Sequence, residues 1–127
     1  MISLKAQYGL KAIVTLAANF GRGPLQAREI ASSQDVPVRY LELLLSQLRR
    51  ARLVEATRGK KGGYYLTKKP SNVSVYDVIS AFENNVLYST NGQNKPDELT
   101  FIWKNAENMV TKHFRSMKVA ELVGKLK

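Results

Sequence analysis

The chain has no cysteine, one histidine and one tryptophan in 127 residues. Without cysteine it has no disulfides, no thiolate metal sites and no thiol redox switch. A single histidine and no dense carboxylate cluster leave little for acid–base or metal chemistry, so the expectation is a protein that is not an enzyme and carries no cofactor. Asp97 and Glu98 are neighbours, but two acids at the start of a helix are explained by the helix dipole. No apolar run approaches the ~18 residues of a membrane span. Met1 to Tyr8 also lack the charged and apolar regions of a signal peptide. The expected place is therefore the cytoplasm, with no membrane partner. Acids are scarce as well: 10 Asp and Glu stand against 20 Lys and Arg, giving a net charge of +10 and a pI of about 10.0.

The positive excess is localised. Residues 1–70 hold 13 Lys/Arg and 4 Asp/Glu, a net of +9, whereas residues 71–127 hold 7 and 6, a net of +1. An excess confined to one part of a chain points to a polyanionic partner rather than to a merely solvated surface. A hydrophobic fraction of 44% leaves enough material for a core.

Three helix-like segments open the chain. From Ser3 to Phe20, the residues Ala6, Leu10, Ile13, Ala17 and Phe20 recur at three- and four-residue spacing and mark one helical face. Gly21-Arg22-Gly23-Pro24 stops that helix. Gln26 to Ser33 is short, with Ala27, Ile30 and Ala31 on one side. Asp35-Val36-Pro37 breaks the chain, and a third helix is expected from Pro37 to Ala51, with proline in its first turn. Two short helices joined by a tight turn predict a helix-turn-helix, whose second helix is the reader of a nucleic acid.

On a helical wheel of the third segment, Val38, Leu41, Leu44, Leu45 and Leu48 gather inward. Arg39, Leu43, Ser46 and Arg50 lie opposite, with Tyr40 and Gln47 on one flank and Glu42 on the other. These side chains can reach base edges or phosphates, although a solvated face explains most amphipathic helices equally well. Leu43 is unusual on an outer face and suits a thymine methyl or another packed element.

Leu53–Arg58 and Tyr64–Thr67 are β-prone runs around a glycine-rich turn. Gly59, Gly62 and Gly63 permit the positive φ of a tight hairpin, and Arg58, Lys60 and Lys61 ride on it. Such a tip suits a phosphate backbone or a narrow minor groove. A phosphate-binding loop of the nucleotide-binding kind is a weaker rival, since no Gly-Lys-Ser/Thr ending is present and no helix opens directly behind. The expected fold is mostly α with a small β-hairpin wing: a winged helix-turn-helix followed by a long C-terminal dimerisation helix.

Beyond the wing, Ser74-Val75-Tyr76-Asp77 reads as a capping box that opens a short helix with Val75, Val78, Ile79 and Phe82 inward. Asn84 to Pro96 is rich in Asn, Ser, Thr and Gly and reads as an exposed loop. A long helix is expected from Pro96-Asp97-Glu98 onward, striped by Leu99, Ile102, Trp103, Ala106, Met109, Val110, His113, Phe114 and Met117. So wide an apolar stripe at the end of a small domain predicts packing on a second copy, the alternative being packing on the first helix. Ser116 to Leu126 reads as a final short helix with Val119, Leu122 and Val123 inward. The division expected is a DNA-binding domain over 1–83, an exposed loop over 84–96, and dimerisation and terminal helices over 97–127.

The chain resembles the Rrf-two family of bacterial winged-helix regulators. Four stretches carry the likeness: Ala6-Gln7-Tyr8-Gly9-Leu10-Lys11-Ala12 in the opening helix, Tyr40 to Arg49 in the reading helix, Arg58-Gly59 with Gly62-Gly63-Tyr64-Tyr65-Leu66 in the wing, and Met117 to Val123 near the end. The resemblance implies a homodimer on an inverted-repeat operator in double-stranded DNA, acting usually as a transcription repressor and sometimes as an activator. It places Arg39, Tyr40 and Glu42 near the major groove and Arg58 and Gly59 at the minor groove; Leu43, Ser46, Gln47, Arg50, Lys60 and Lys61, taken from the wheel and the turn, complete the expected DNA-binding set. Members often carry glutamine where this chain has Leu43. Many also hold an iron–sulfur cluster through three cysteines in the loop before the long helix. The 84–96 loop has none, the residue aligned with a non-cysteine ligand is Thr100, and His113 falls too late in the helix. Such clusters take thiolates for most of their bonds. The expectation is a cluster-free member tuned by a partner protein or a small molecule. Two other classes remain: a sensing module with incidental DNA affinity, and a sequence-neutral nucleoid protein.

Overall fold

A computed structural model describes residues 2–83 and 97–126; the 84–96 loop expected above lies outside the described residues. Helix α1 spans Leu4–Ala18, and the Ser3 hydroxyl caps it by accepting the Ala6 amide at 3.2 Å. Ala6, Gly9, Ala12, Ile13, Leu16 and Ala17 face inward. Phe20, expected on that face, lies beyond the helix and is 43% exposed, because the chain has already turned away at Asn19.

Helix α2 (Ala27–Gln34) buries Ile30 and Ala31 and ends on Asp35, which takes the left-handed conformation (φ 53°). The Val36 amide donates back to the Ala31 carbonyl at 3.1 Å and closes the helix end. Helix α3 (Val38–Arg50) follows after only Asp35-Val36-Pro37. Pro37 is the extended residue before the helix, rather than part of its first turn. Leu41, Leu44, Leu45 and Leu48 are almost wholly buried. Val38 is not inward as expected but 39% exposed, because the first turn projects ahead of the core.

Strands β1 (Val54–Thr57) and β2 (Gly63–Leu66) pair antiparallel with Val54 opposite Leu66 and Thr57 opposite Gly63. Leu25 adds a third, one-residue strand: its amide donates to the Tyr64 carbonyl (2.9 Å), and the Tyr64 amide donates back (2.7 Å). This close pairing explains Gly63, where a Cβ would lie 2.4 Å from the Leu25 carbonyl oxygen. Gly62 differs from the expectation, since it is required for space against the Thr57 carbonyl and not for a positive φ.

Helix α4 (Val75–Ser80) opens on the capping box foreseen, with Ser74 Oγ accepting the Asp77 amide (3.0 Å) and Asp77 Oδ2 accepting the Ser74 amide (2.9 Å). Val75, Val78 and Ile79 are buried, and the Phe82 ring lies against Gly9 of α1. Helix α5 (Thr100–Ser116) starts later than expected. Asp97 closes the preceding turn instead of sitting in the helix: its Oδ1 accepts the Leu99 amide (2.8 Å) and the Thr100 hydroxyl (3.3 Å). After α5 the chain runs beside Val73 and Val75, with the Val75 amide donating to Met117 O and the Val119 amide to Val73 O, both at 2.8 Å. Only the 3₁₀ turn Val119–Leu122 stands where a final helix was expected; Val119 enters the main core, Leu122 is half-buried and Val123 is exposed.

One contact predicts a pH effect. The Ser3 hydroxyl chiefly, then the Ser3 amide, which donates to Glu83 Oε1 at 2.8 Å, and nearby Lys5 hold the Glu83 carboxyl below its ordinary range against the opposing effect of burial. A carboxyl with a lowered folded-state pKa stabilises the fold fully above the unfolded-chain value, and the contribution fades as pH falls through the lowered value. Wild type should therefore exceed Glu83→Gln in urea midpoint at pH 7, with the gap closing as the solution is acidified below the usual glutamate range. A gap that stays constant to pH 3 would mean the carboxylate plays no part.

Candidate nucleic-acid interface

The outer surface of α3 is built by elimination. Four leucines fix its inner face in the core, so the remaining side chains must point away from it. Arg39, Glu42, Leu43, Ser46 and Arg50 are all exposed, Leu43 by 65%. Arg39, Glu42 and Leu43 line one shallow hollow at the start of the helix. Gln47 is half-buried on the flank. Tyr40 is also half-buried, and its ring meets the Tyr8 ring of α1 edge-on, with centroids 6.0 Å apart and planes at 86°. The structure thus brings Arg39, Glu42 and Leu43 together and sets Tyr40 against α1 beside them. Tyr8 and its neighbour Lys11, whose ammonium lies 5.1 Å from the Tyr8 ring centre, stand in the opening-helix stretch of the resemblance but are not among the expected site residues. Their i, i+3 spacing was visible there, but their meeting with α3 was not.

The far end of α3 is tied to the wing. Arg49 Nε pairs with Glu55 Oε1 at 2.6 Å, so Arg49 is engaged within the fold while Arg50 is free to project. The Glu55 carboxyl is held below its ordinary range, chiefly by the Ala56 amide that it accepts (3.0 Å) and then by Arg49. Between β1 and β2 the turn 58–62 carries Arg58, Gly59, Lys60 and Lys61, all exposed, with Gly59 at φ 108°. Gln26 Nε2 donates to the Lys60 carbonyl (3.4 Å), linking the turn to the start of α2. Backbone and side-chain ties therefore fix the wing while leaving its cations in solvent.

The stripe on α5 divides in two. Val110, Phe114 and Met117 pack against Val75 and Ile79 of α4, and the Arg115 guanidinium lies 4.4 Å from the Tyr76 ring centre. Leu99, Ile102, Trp103 and Met109 are exposed, Met109 by 74%. Ala106 is half-buried; His113 is exposed and tilted against the Phe114 ring. Phe101, also exposed, lies off the stripe and was not foreseen. The Thr100 hydroxyl is taken up by Asp97, whose amide it accepts at 2.8 Å. Among the described residues no group of three His, Cys, Asp or Glu could hold a metal ion, and no helix is long and apolar enough to cross a membrane.

An exposed, mostly polar helix held over a leucine core, beside a cationic wing, has counterparts among known regulators. IscR of Escherichia coli, an HTH-type transcriptional regulator, is 32% identical over 128 residues, covering 96% of this chain and 79% of IscR. CymR of Bacillus subtilis is 40% identical over 82 residues, 65% of this chain and 59% of CymR. The solved structure of CymR, the global cysteine regulator of that organism, matches with a TM-score of 0.84 at 29% identity, covering 100% of this chain and 98% of the other. The family model described as "Rrf2: Iron-dependent Transcriptional regulator" matches residues 2–125, and with this winged helix-turn-helix fold the chain belongs to the Rrf2 family of transcriptional regulators.

Proposed function

We propose that the protein is a sequence-specific DNA-binding repressor that acts as a homodimer on an inverted-repeat operator. The observation that carries this reading is α3: its four inward leucines hold Arg39, Glu42, Leu43, Ser46 and Arg50 outward as one unit. A fixed row of exposed side chains on a helix suits base-edge readout, where each bidentate pair is worth about 1–3 kcal/mol of discrimination. The cations Arg58, Lys60 and Lys61 on the wing suit the phosphate backbone and an adjoining minor groove. In the dimer, the exposed Leu99, Ile102, Trp103 and Met109 of α5 meet their counterparts on a second copy. A protein working on the DNA of a bacterium belongs in the cytoplasm.

The family description names iron, and the residues present do not fit an iron–sulfur cluster. Such clusters bind mainly through thiolates, and the chain has none. Thr100 is a poor ligand, and its hydroxyl is already bonded to Asp97. Control of DNA binding then falls to a partner protein or a small molecule rather than to a cluster.

The test is selection of genomic fragments by the purified, metal-free protein at about physiological salt. Enrichment of an inverted repeat is the expected outcome, and its position relative to promoters then reports repression. Recovery of fragments without common sequence would favour a nucleoid protein, and recovery of none would favour a sensing module for which DNA is incidental.

A further inference from the structure

We propose that α1 carries a second DNA contact: Lys11 holds a backbone phosphate beside the major groove, and Tyr8 positions both Lys11 and Tyr40 for it. The inference rests on the DNA-binding reading above and adds to it a site on a different helix. Three side chains stand in sequence in space. The Lys11 ammonium lies 5.1 Å from the Tyr8 ring centre, a cation–π arrangement. The Tyr8 ring in turn meets Tyr40 edge-on at 6.0 Å. Placed end to end, the two separations come to less than the ~12 Å width of the major groove. If Tyr40 enters the groove, a cation that close stands at the wall of phosphates bordering it.

Charge supports the same occupant. Helix α1 contains Lys5 and Lys11 and no acid. Among the described residues the one ion pair is Arg49 with Glu55, so no carboxylate there neutralises Lys11. Lys11 is exposed, while Tyr8 and Tyr40 are half-buried, which leaves the cation outward and the two rings braced. A ring fixed by an edge-on partner has fewer orientations to lose on binding. Tyr8 is therefore a positioning residue and Lys11 the group that touches phosphate.

The test uses the full chain and a DNA duplex containing the selected operator, with affinity measured by fluorescence anisotropy across a salt series. Lys11→Gln should lower the slope of log affinity against log salt by about 0.9, the value for one phosphate contact. Between about 50 and 200 mM salt, wild type should then lose about threefold more affinity than the variant. Tyr8→Leu should reduce the penalty for changing the base pair nearest Tyr40, and Tyr8→Phe, which keeps the ring, should restore it. An unchanged slope for Lys11→Gln overturns the proposal, as does a Tyr8→Leu variant that discriminates as well as wild type. Lys61→Gln serves as the reference: if wild type itself binds no duplex in a salt-dependent way, the DNA-binding reading fails; if Lys61→Gln lowers the slope and Lys11→Gln does not, only the α1 contact fails.

Discussion

Ile102→Glu and Met109→Lys are each expected to abolish tight operator binding while leaving the winged domain folded. Two different surfaces of α5 account for the separation. Val110, Phe114 and Met117 hold the helix to Val75 and Ile79, and neither substitution touches that contact. Ile102 and Met109 are 42% and 74% exposed within one chain, so a charge at either meets water in the monomer and costs its fold little. In a dimer the same positions are covered, and fully burying one such side chain is worth about 1.5–3 kcal/mol before any penalty for a buried charge. Losing the partner removes one of two half-sites. Linkage of two sites raises avidity by about 10²–10⁴, so operator binding should fall by about 100-fold or more. Light scattering should find the variants monomeric, and circular dichroism should find them helical with a sharp thermal transition. A variant that stays dimeric and binds the operator as wild type does would sink the α5 interface.

Helix α3 and the wing were legible because each is written in local chemistry. Leucines at 41, 44, 45 and 48 specify an inner face whatever covers it, and glycines around Arg58, Lys60 and Lys61 specify a hairpin. Ser74 and Asp77 likewise carried the start of α4, since a capping box is completed within four residues. The misplacements involve contacts beyond that range or competing local bonds. Phe20 fits the helical period but falls past a turn at Asn19. Asp97 has the composition of a first-turn acid, yet its side chain closes the turn before Thr100. Gly62 was read for its freedom in φ, whereas the space beside Thr57 is what excludes a side chain. The stripe on α5 was seen as one surface because periodicity reports which residues are apolar and not what covers them; α4 takes part of it. The contact of Tyr8 and Lys11 with α3 is illegible for the same reason, since the meeting with Tyr40 depends on how α1 crosses α3.

Arg39→Ala is expected to lose about 1–3 kcal/mol on the operator, which is about 5- to 150-fold, and much less on random duplex. Arg39 is exposed and lines the hollow shared with Glu42 and Leu43, so truncating it removes readout without opening the core. Tyr40→Ala should show the same preference for the operator, but it also strips Tyr8 of its edge-on partner, and part of its loss is positional. Arg39 is thus the cleaner probe. Lys60 sets the contrast. Its side chain is exposed on the wing turn, and a cation bound to a phosphate carries no sequence information. Lys60→Ala should therefore weaken operator and random duplex by the same factor and lower the salt slope by about 0.9. Binding isotherms on both duplexes at several salt concentrations separate the two behaviours. Equal losses on both duplexes for Arg39→Ala would show that α3 reads no sequence and would move the protein to the sequence-neutral class, because a helix contributing charge alone cannot distinguish one base pair from another.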